Sequence, residues 1–451
     1  MTIQHKDNQF IWHPFTQHLN AKVPVNIVKG QGVYLYDDAG NKYLDAISSW
    51  WVNLHGHCNE YISKKVGEQL LQLEHSIFSD FTHPWAVNLA ERIIGHLPKN
   101  QSKIFYSDNG STAVEVALKM TLQYWNNQTI GIEATKTVFI AFENAYHGDT
   151  FGGMSVGARN VFNNAFEKLL FDVKHIAIPT KKNLNEVKNK FSEIIKTNNV
   201  AGFIFEPLVQ GAAGMQMYEA EYLDELISIC NQNKIITIAD EVMTGFGRTG
   251  KMFACDFLKN KPDIICLSKG LTGGYLPMGI TSCAKFIYEA FLREDKTKTF
   301  FHGHSYTANA TSCSAALASL DLMEKKETWL QIKMIEECHF AFVEKLLRQA
   351  NQGSICVEET DSSLLGITKG GVGVRIKGTI IAFELKTKEP ANYLNNASQT
   401  ISDFFLQKGI IIRPLGNIFY LIPPYIITKK ELEIIYEAIE EFLEGLMDRS
   451  D

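Results

Sequence analysis

Through the first two thirds of the chain, short apolar runs rich in β-branched and aromatic residues alternate with longer stretches whose apolar positions recur at helical spacing. The runs predict strands over Lys103–Ser107, Thr137–Phe142, Ala201–Glu206, Ile235–Asp240 and Ile264–Ser268, each ending in a polar or glycine-bearing turn. Strands alternating with helices predict an α/β fold with a mainly parallel central sheet and helices on both faces. Open sheets of this kind bind ligands beyond their strand ends, so polar residues there come first in any search for chemistry.

After residue 330 the pattern changes. An amphipathic helix leads to a Gly-rich stretch, Gly366–Gly378, expected as a loop or hairpin turn, then to strands near Thr379–Leu385 and Gly409–Arg413. A final helix from Lys430 sets Leu432, Ile435, Ile439, Phe442 and Leu446 on one face, the spacing of a packing surface. This predicts a smaller α+β C-terminal domain over 331–451, a large domain over 51–330, and an N-terminal segment, 1–50, that joins the small domain. With 451 residues, 45% of them hydrophobic, the chain can bury a large core.

Charge removes some classes of partner. The net charge of −6 comes from 44 basic and 50 acidic residues mixed along the chain, with no basic stripe to follow a nucleic-acid backbone. Met1–Gln9 is polar and lacks the apolar core of an export signal, and no stretch approaches the roughly 18 apolar residues of a bilayer span. The eight cysteines show no C-x-x-C pair or zinc spacing, so they read as reduced, mostly buried thiols. The expectation is a soluble cytoplasmic protein with neither nucleic acid nor membrane as partner and no metal.

Three strand ends could carry chemistry. Ile235–Asp240 brings Asp240 and then Glu241 to the mouth of a sheet, where an acid alone could as well be a cap or half of a salt bridge. Pro262–Leu271 brings Lys269 to a rim just before Gly273-Gly274; in a dry site such a lysine can act as an amine nucleophile, and elsewhere it is simply a surface lysine. The pairing of acid and amine on two strand ends favours chemistry over either bland account. The third is Tyr106–Glu115, where Thr112 and Glu115 form a capping-box pattern ahead of an apolar helix. Amides of Gly110 to Thr112, with the Ser111 hydroxyl, could hold a phosphate there, although a plain capped helix fits that segment equally well.

Two signals mislead. Gly245–Met252 matches a nucleotide-binding P-loop except at its last position, where Met252 stands in place of the magnesium-holding Ser or Thr. The pairs His55-x-His57 and His302-x-His304 have metal-like spacing without a nearby carboxylate, so hydrogen bonding in a polar pocket explains them better.

Taken in order, Gly110-Ser111, Ala145-Tyr146-His147-Gly148, Asp240-Glu241-Val242, Gly245-Phe246-Gly247-Arg248 and Ser268-Lys269-Gly270 resemble the class III aminotransferases, pyridoxal-phosphate (PLP) enzymes of fold type I, over nearly the whole chain. The resemblance implies that Lys269 carries PLP as a Schiff base, Asp240 pairs with the pyridine nitrogen, Gly110 and Ser111 hold the phosphate, Tyr146 stacks on the ring and Val242 packs its other face. Within that group Trp12–Gln17, Ser48–Trp51 and Ile412–Pro414 leading to Tyr420–Tyr425 are similar to members serving biotin biosynthesis. This implies 7-keto-8-aminopelargonate as acceptor and S-adenosylmethionine, or else lysine, as donor, with another ω-amine or ornithine as the alternative chemistry. Trp50, Trp51, Tyr146 and Arg413 would then line the substrate pocket, and Gly303 and Ser305 would reach in from a second copy in a homodimer. Two positions depart from the pattern: His304-Ser305 where many relatives have Pro-Thr, and Phe15 where S-adenosylmethionine users often have Tyr.

Overall fold

A computed structural model describes residues 2–128, 136–349, 366–367, 372–386, 395 and 397–447. Its centre is a seven-stranded sheet in the order Gln101–Ser107, Gly279–Ala284, Ile264–Leu267, Ile236–Asp240, Val200–Phe205, Val138–Phe142, Val173–Ile176. Four pairings are parallel, and Gly279–Ala284 alone runs antiparallel to both neighbours. The inner strands are buried on both faces: every residue of Ile236–Asp240, Ile264–Leu267 and Val200–Phe205 is buried. Continuous Ile, Phe and Ala runs suit that position, because both faces must meet helices rather than water.

The five predicted strands all form, with ends shifted by one or two residues. Two strands of the sheet escaped prediction. Val173–Ile176 contains Lys174 and His175, and Gly279–Ala284 is small and polar enough to resemble a loop, yet it is fully buried because it fills the gap between two apolar neighbours.

The Gly-rich stretch is also more ordered than expected. Gly366–Ile367 and Val372–Lys377 pair antiparallel, and Val372–Lys377 continues through a turn at Gly378 to Ile380–Leu385, which pairs with Ile418–Leu421. Val372 and Val374 are buried, so the strand forms through packing that glycine content conceals. A further sheet joins the two ends of the chain. Ile27–Gln31, Tyr34–Asp37 and Lys42–Asp45 form a meander whose last strand pairs in parallel with Ile410–Ile411. The last helix, Lys429–Met447, buries Leu432, Ile435, Ile439 and Phe442 as its spacing predicts. No described helix is long and apolar enough to cross a membrane.

Candidate active site

Strand ends from the central sheet and the start of the helix Gly110–Gln128 surround a cavity of about 480 Å3. Asp240 closes one end. It is 6% exposed, pairs through Oδ2 with His147 Nδ1 at 2.7 Å, and accepts the Val242 backbone N–H through Oδ1 at 3.1 Å. Both carboxylate oxygens thus have a partner inside the cavity wall.

Lys269 comes off the neighbouring strand with φ of +46°, a left-handed conformation that turns its side chain into the cavity. Its Nζ lies 4.6 Å from the centre of the Trp51 ring. Burial lowers its pKa from 10.5 to about 8, against the opposing pull of the Asp240 and Glu206 carboxylates. Glu206 follows Val200–Phe205, the strand on the other side of Ile236–Asp240, and accepts the N–H groups of Tyr146 (3.1 Å) and Gly211 (2.9 Å). Burial raises its pKa to about 7, with Asp240 adding to the rise while His147 opposes it.

The helix start is built for close approach. Asn109 caps it, accepting the Thr112 N–H at 3.0 Å, while the Thr112 hydroxyl oxygen accepts the Asn109 N–H at 3.1 Å. The capping box is thus Asn109 with Thr112, three residues earlier than the predicted Thr112 and Glu115. Glu115 instead accepts the Gly152 and Gly153 N–H groups at the start of the helix Phe151–Val156, a partner no local pattern reveals. Gly148 has φ of +109°, and a Cβ there would fall 2.1 Å from Ser111 Oγ. Backbone amides, a hydroxyl, a buried carboxylate and an amine around one cavity suit a phosphorylated aromatic cofactor such as PLP.

A second lobe of about 370 Å3 shares Trp51, Val52, Tyr146 and Lys269 with the first and extends to Phe15, Trp50, Phe162 and Arg413. The Arg413 guanidinium carbon sits 4.0 Å from the Trp50 ring centre and 5.8 Å from that of Phe15. Phe15 meets both Trp50 and Phe162 edge-on. Tyr146 points its hydroxyl at Asp149 Oδ2, 3.0 Å away, and burial holds that phenol well above its usual pKa.

The wall between the lobes is strained. Ser48, Ser49, Trp50 and Trp51 all have positive φ, at +52°, +46°, +71° and +75°. One turn of left-handed backbone in four side-chain-bearing residues costs roughly 4–8 kcal/mol, so the surroundings must over-determine it.

An aminotransferase class-III family model matches residues 16–443. The chain belongs to the class-III aminotransferases. An adenosylmethionine-8-amino-7-oxononanoate aminotransferase from Synechococcus elongatus is 42% identical, covering 97% of this chain and 99% of its own. The enzyme of that name from Staphylococcus aureus is 36% identical over 99% of this chain and 98% of its own. Among solved structures, the enzyme of that name from Methanocaldococcus jannaschii superposes with a TM-score of 0.85 at 37% identity, covering 97% and 98% of the two chains. A PLP-bound amine transaminase from an uncultivated Pseudomonas species gives a TM-score of 0.84 at 29% identity, covering 98% of each chain.

In this class-III aminotransferase, Gly110, Ser111, Tyr146, Asp240, Val242 and Lys269 line the first lobe, and Trp50, Trp51, Tyr146, Lys269 and Arg413 the second. Gly303 and Ser305 line neither; they are exposed in the segment after His302, where the Ser305 carbonyl meets His75 Nε2 at 2.6 Å. Sequence inspection left two first-lobe groups without a role. Glu206 had a signal, being polar at the end of a buried strand. His147 stood within the Ala145–Gly148 motif, but nothing local marked its pairing with Asp240, 93 positions away.

The misleading signals resolve as packing. Arg248, in the P-loop-like segment, is fully buried and donates to the carbonyls of Trp51, Asn53 and Pro423. His57 does meet a carboxylate, Asp45, at 2.9 Å, and His55 meets Ser319. Among the described residues no group of three or more His, Cys, Asp or Glu is placed to hold a metal ion. Five of the described cysteines are buried, Cys338 is partly so, and Cys58 is exposed; Cys356 lies outside the described residues.

Proposed function

We propose that this class-III aminotransferase uses PLP to move an amino group from S-adenosylmethionine to 8-amino-7-oxononanoate (7-keto-8-aminopelargonate), yielding 7,8-diaminononanoate for biotin biosynthesis. The observation that carries this reading is that two adjoining lobes share Lys269, Tyr146 and Trp51, with the Asp240 carboxylate lining the first and the aromatic-walled Arg413 guanidinium lining the second. The names of full-length relatives at 34–42% identity supply the two substrates.

When bound, PLP supplies an electron sink for the bond broken at the amine-bearing carbon. Asp240, held by His147 and the Val242 N–H, would face the ring nitrogen and keep a proton there. Gly110 and Ser111 would hold the phosphate at the helix start, with Tyr146 and Val242 on the two ring faces. Lys269 would anchor the cofactor covalently, and when its amine is free the lowered pKa of about 8 leaves a useful neutral fraction at neutral pH. Its Nζ would therefore take a proton from the donor's carbon and return one on the acceptor's behalf. Arg413 would grip the acceptor carboxylate through its guanidinium edge in a bidentate pair, with Trp50 stacked on its face. Trp50, Trp51 and Phe15 would line the acceptor's alkyl chain and exclude water.

Gly303 and Ser305, exposed here, would complete the site of a second copy, so the working form is a cytoplasmic homodimer. The exposed aromatic residues Phe301 and Tyr306 beside them support that assignment. Phe15 favours one second reading: with no hydroxyl beside the donor, lysine could supply the amine.

Offering S-adenosylmethionine and lysine separately to purified yellow protein tests this. Bleaching by S-adenosylmethionine alone, followed by recovery on adding 8-amino-7-oxononanoate, is the expected result. A colourless protein, or no recovery with that acceptor after any donor, refutes the proposal.

A further inference from the structure

The strained turn Ser48–Trp51 carries the two tryptophans of the substrate wall, and left-handed backbone at four successive residues needs an anchor. We infer that Asp45 is the positioning residue that holds this turn left-handed and so keeps Trp50 stacked on Arg413. The carboxylate is fully buried and reaches three partners: the Ser49 hydroxyl at 2.7 Å, His57 Nε2 at 2.9 Å and the Ile47 N–H at 3.2 Å. Ser49 is the middle of the left-handed run, so its bond to Asp45 spans the step where the chain would otherwise relax. A buried carboxylate is retained only where its donors are fixed, and here the donors include the strained residue itself.

Asp45 is also registered to Arg413. It ends the strand Lys42–Asp45 and stands opposite Ile411 in parallel pairing, two residues before Arg413; the Ala46 N–H donates to the Ile411 carbonyl at 3.2 Å. On the far side the Ile422 N–H donates to the Ala46 carbonyl, and the Ser48 hydroxyl donates to the Ile422 carbonyl at 2.7 Å. The tryptophan turn and the arginine therefore hang from one short stretch of sheet, and Asp45 is the charged group that ties the turn to it. If the tie is cut, the turn gains freedom while the strand that presents Arg413 stays in place. The ring then leaves the guanidinium face, and the in-plane donors lose their fixed direction toward a carboxylate.

The substrate side of this inference rests on Arg413 being the carboxylate grip; the wall geometry does not. Asp45→Asn keeps the shape and removes the charge, and Ser49→Ala removes only the exposed residue's hydroxyl, which guards against a variant that fails to fold. In substrate-free protein both should lose near-ultraviolet circular dichroism and raise acrylamide quenching of tryptophan, and in a Trp50→Phe background, which lacks that ring, both changes should shrink. With the acceptor, KM should rise about tenfold, the loss of one charge-assisted hydrogen bond, and rise more than kcat falls. In an Arg413→Met background Asp45→Asn should add less than about twofold to KM, because both act through one contact. Unchanged aromatic signals in both variants, or full additivity with Arg413→Met, overturns the inference. Changed aromatic signals with an unchanged KM support the hold on the wall and refute Arg413 as the grip.

Discussion

Glu206 makes the pH dependence of stability a sharp test of how the cavity is built. Its carboxyl is buried beside Asp240, and its pKa rises from the ordinary 4.5 to about 7. A carboxyl whose folded pKa is raised holds a proton in the folded chain that the unfolded chain has already released. Stability therefore falls as pH rises from 4.5 to about 7, and the loss is complete above that range. The 4.5-to-7 difference corresponds to roughly 3 kcal/mol. Glu241, buried among the Thr244 hydroxyl and the Ala254 and Cys255 N–H groups, is raised to about 7 as well and acts with the same sign. Glu206→Gln should thus remove about half of the combined fall and leave the part due to Glu241. The substitution has its own cost, because Oε1 and Oε2 each accept a backbone N–H and an amide can serve only one of them, about 1–3 kcal/mol at every pH. The diagnostic is consequently the slope and not the level. Urea unfolding of cofactor-free protein from about pH 5 to about pH 8 measures it. Equal slopes for wild type and variant would show that Glu206 is not protonated in the folded chain and would refute this account of the cavity.

Two further outcomes follow from the same geometry. Lys269 carries a lowered pKa of about 8 against 10.5, so the unfolded chain holds the extra proton between those values and stability rises with pH across them. Lys269→Met should abolish the visible absorbance of the purified protein and stabilise the cofactor-free form at neutral pH by up to about 3 kcal/mol. That advantage should fade above pH 8, and equal melting temperatures at neutral pH would contradict it. Gly148→Ala adds a Cβ at φ of +109°, 2.1 Å from Ser111 Oγ and 2.9 Å from Ser111 Cα, so the helix start must move. It should lose about 2–5 kcal/mol of stability and release cofactor on dialysis; unchanged retention would mean that the Gly110–Ser111 turn does not hold the phosphate.

What the sequence determined by itself is the set of strand ends. Apolar runs terminating at Asp240 and Lys269, and a turn opening the helix at Gly110, are local patterns, and the order of those pieces already resembled the right family. Burial of a strand on both faces writes itself into consecutive residues, which is why these strands were legible. Only the tertiary structure decided which groups meet. His147 reaches Asp240 across 93 positions, and Glu115 caps a helix 37 positions onward. Asp45 meets the His57 imidazole 12 positions onward, and it gains its register with Ile411 from a parallel pairing between segments near the chain's two ends. The Gly279–Ala284 strand, too, is a strand only because its neighbours leave it no other place. Such contacts depend on distances between segments remote in sequence, and no hydrophobic period or turn signal encodes them. The left-handed run through Ser48–Trp51 is the plainest case. Local preference argues against it at four successive residues, and it persists because buried partners hold it there: Asp45 close by in sequence, and Tyr420 and Ile422 from far along the chain.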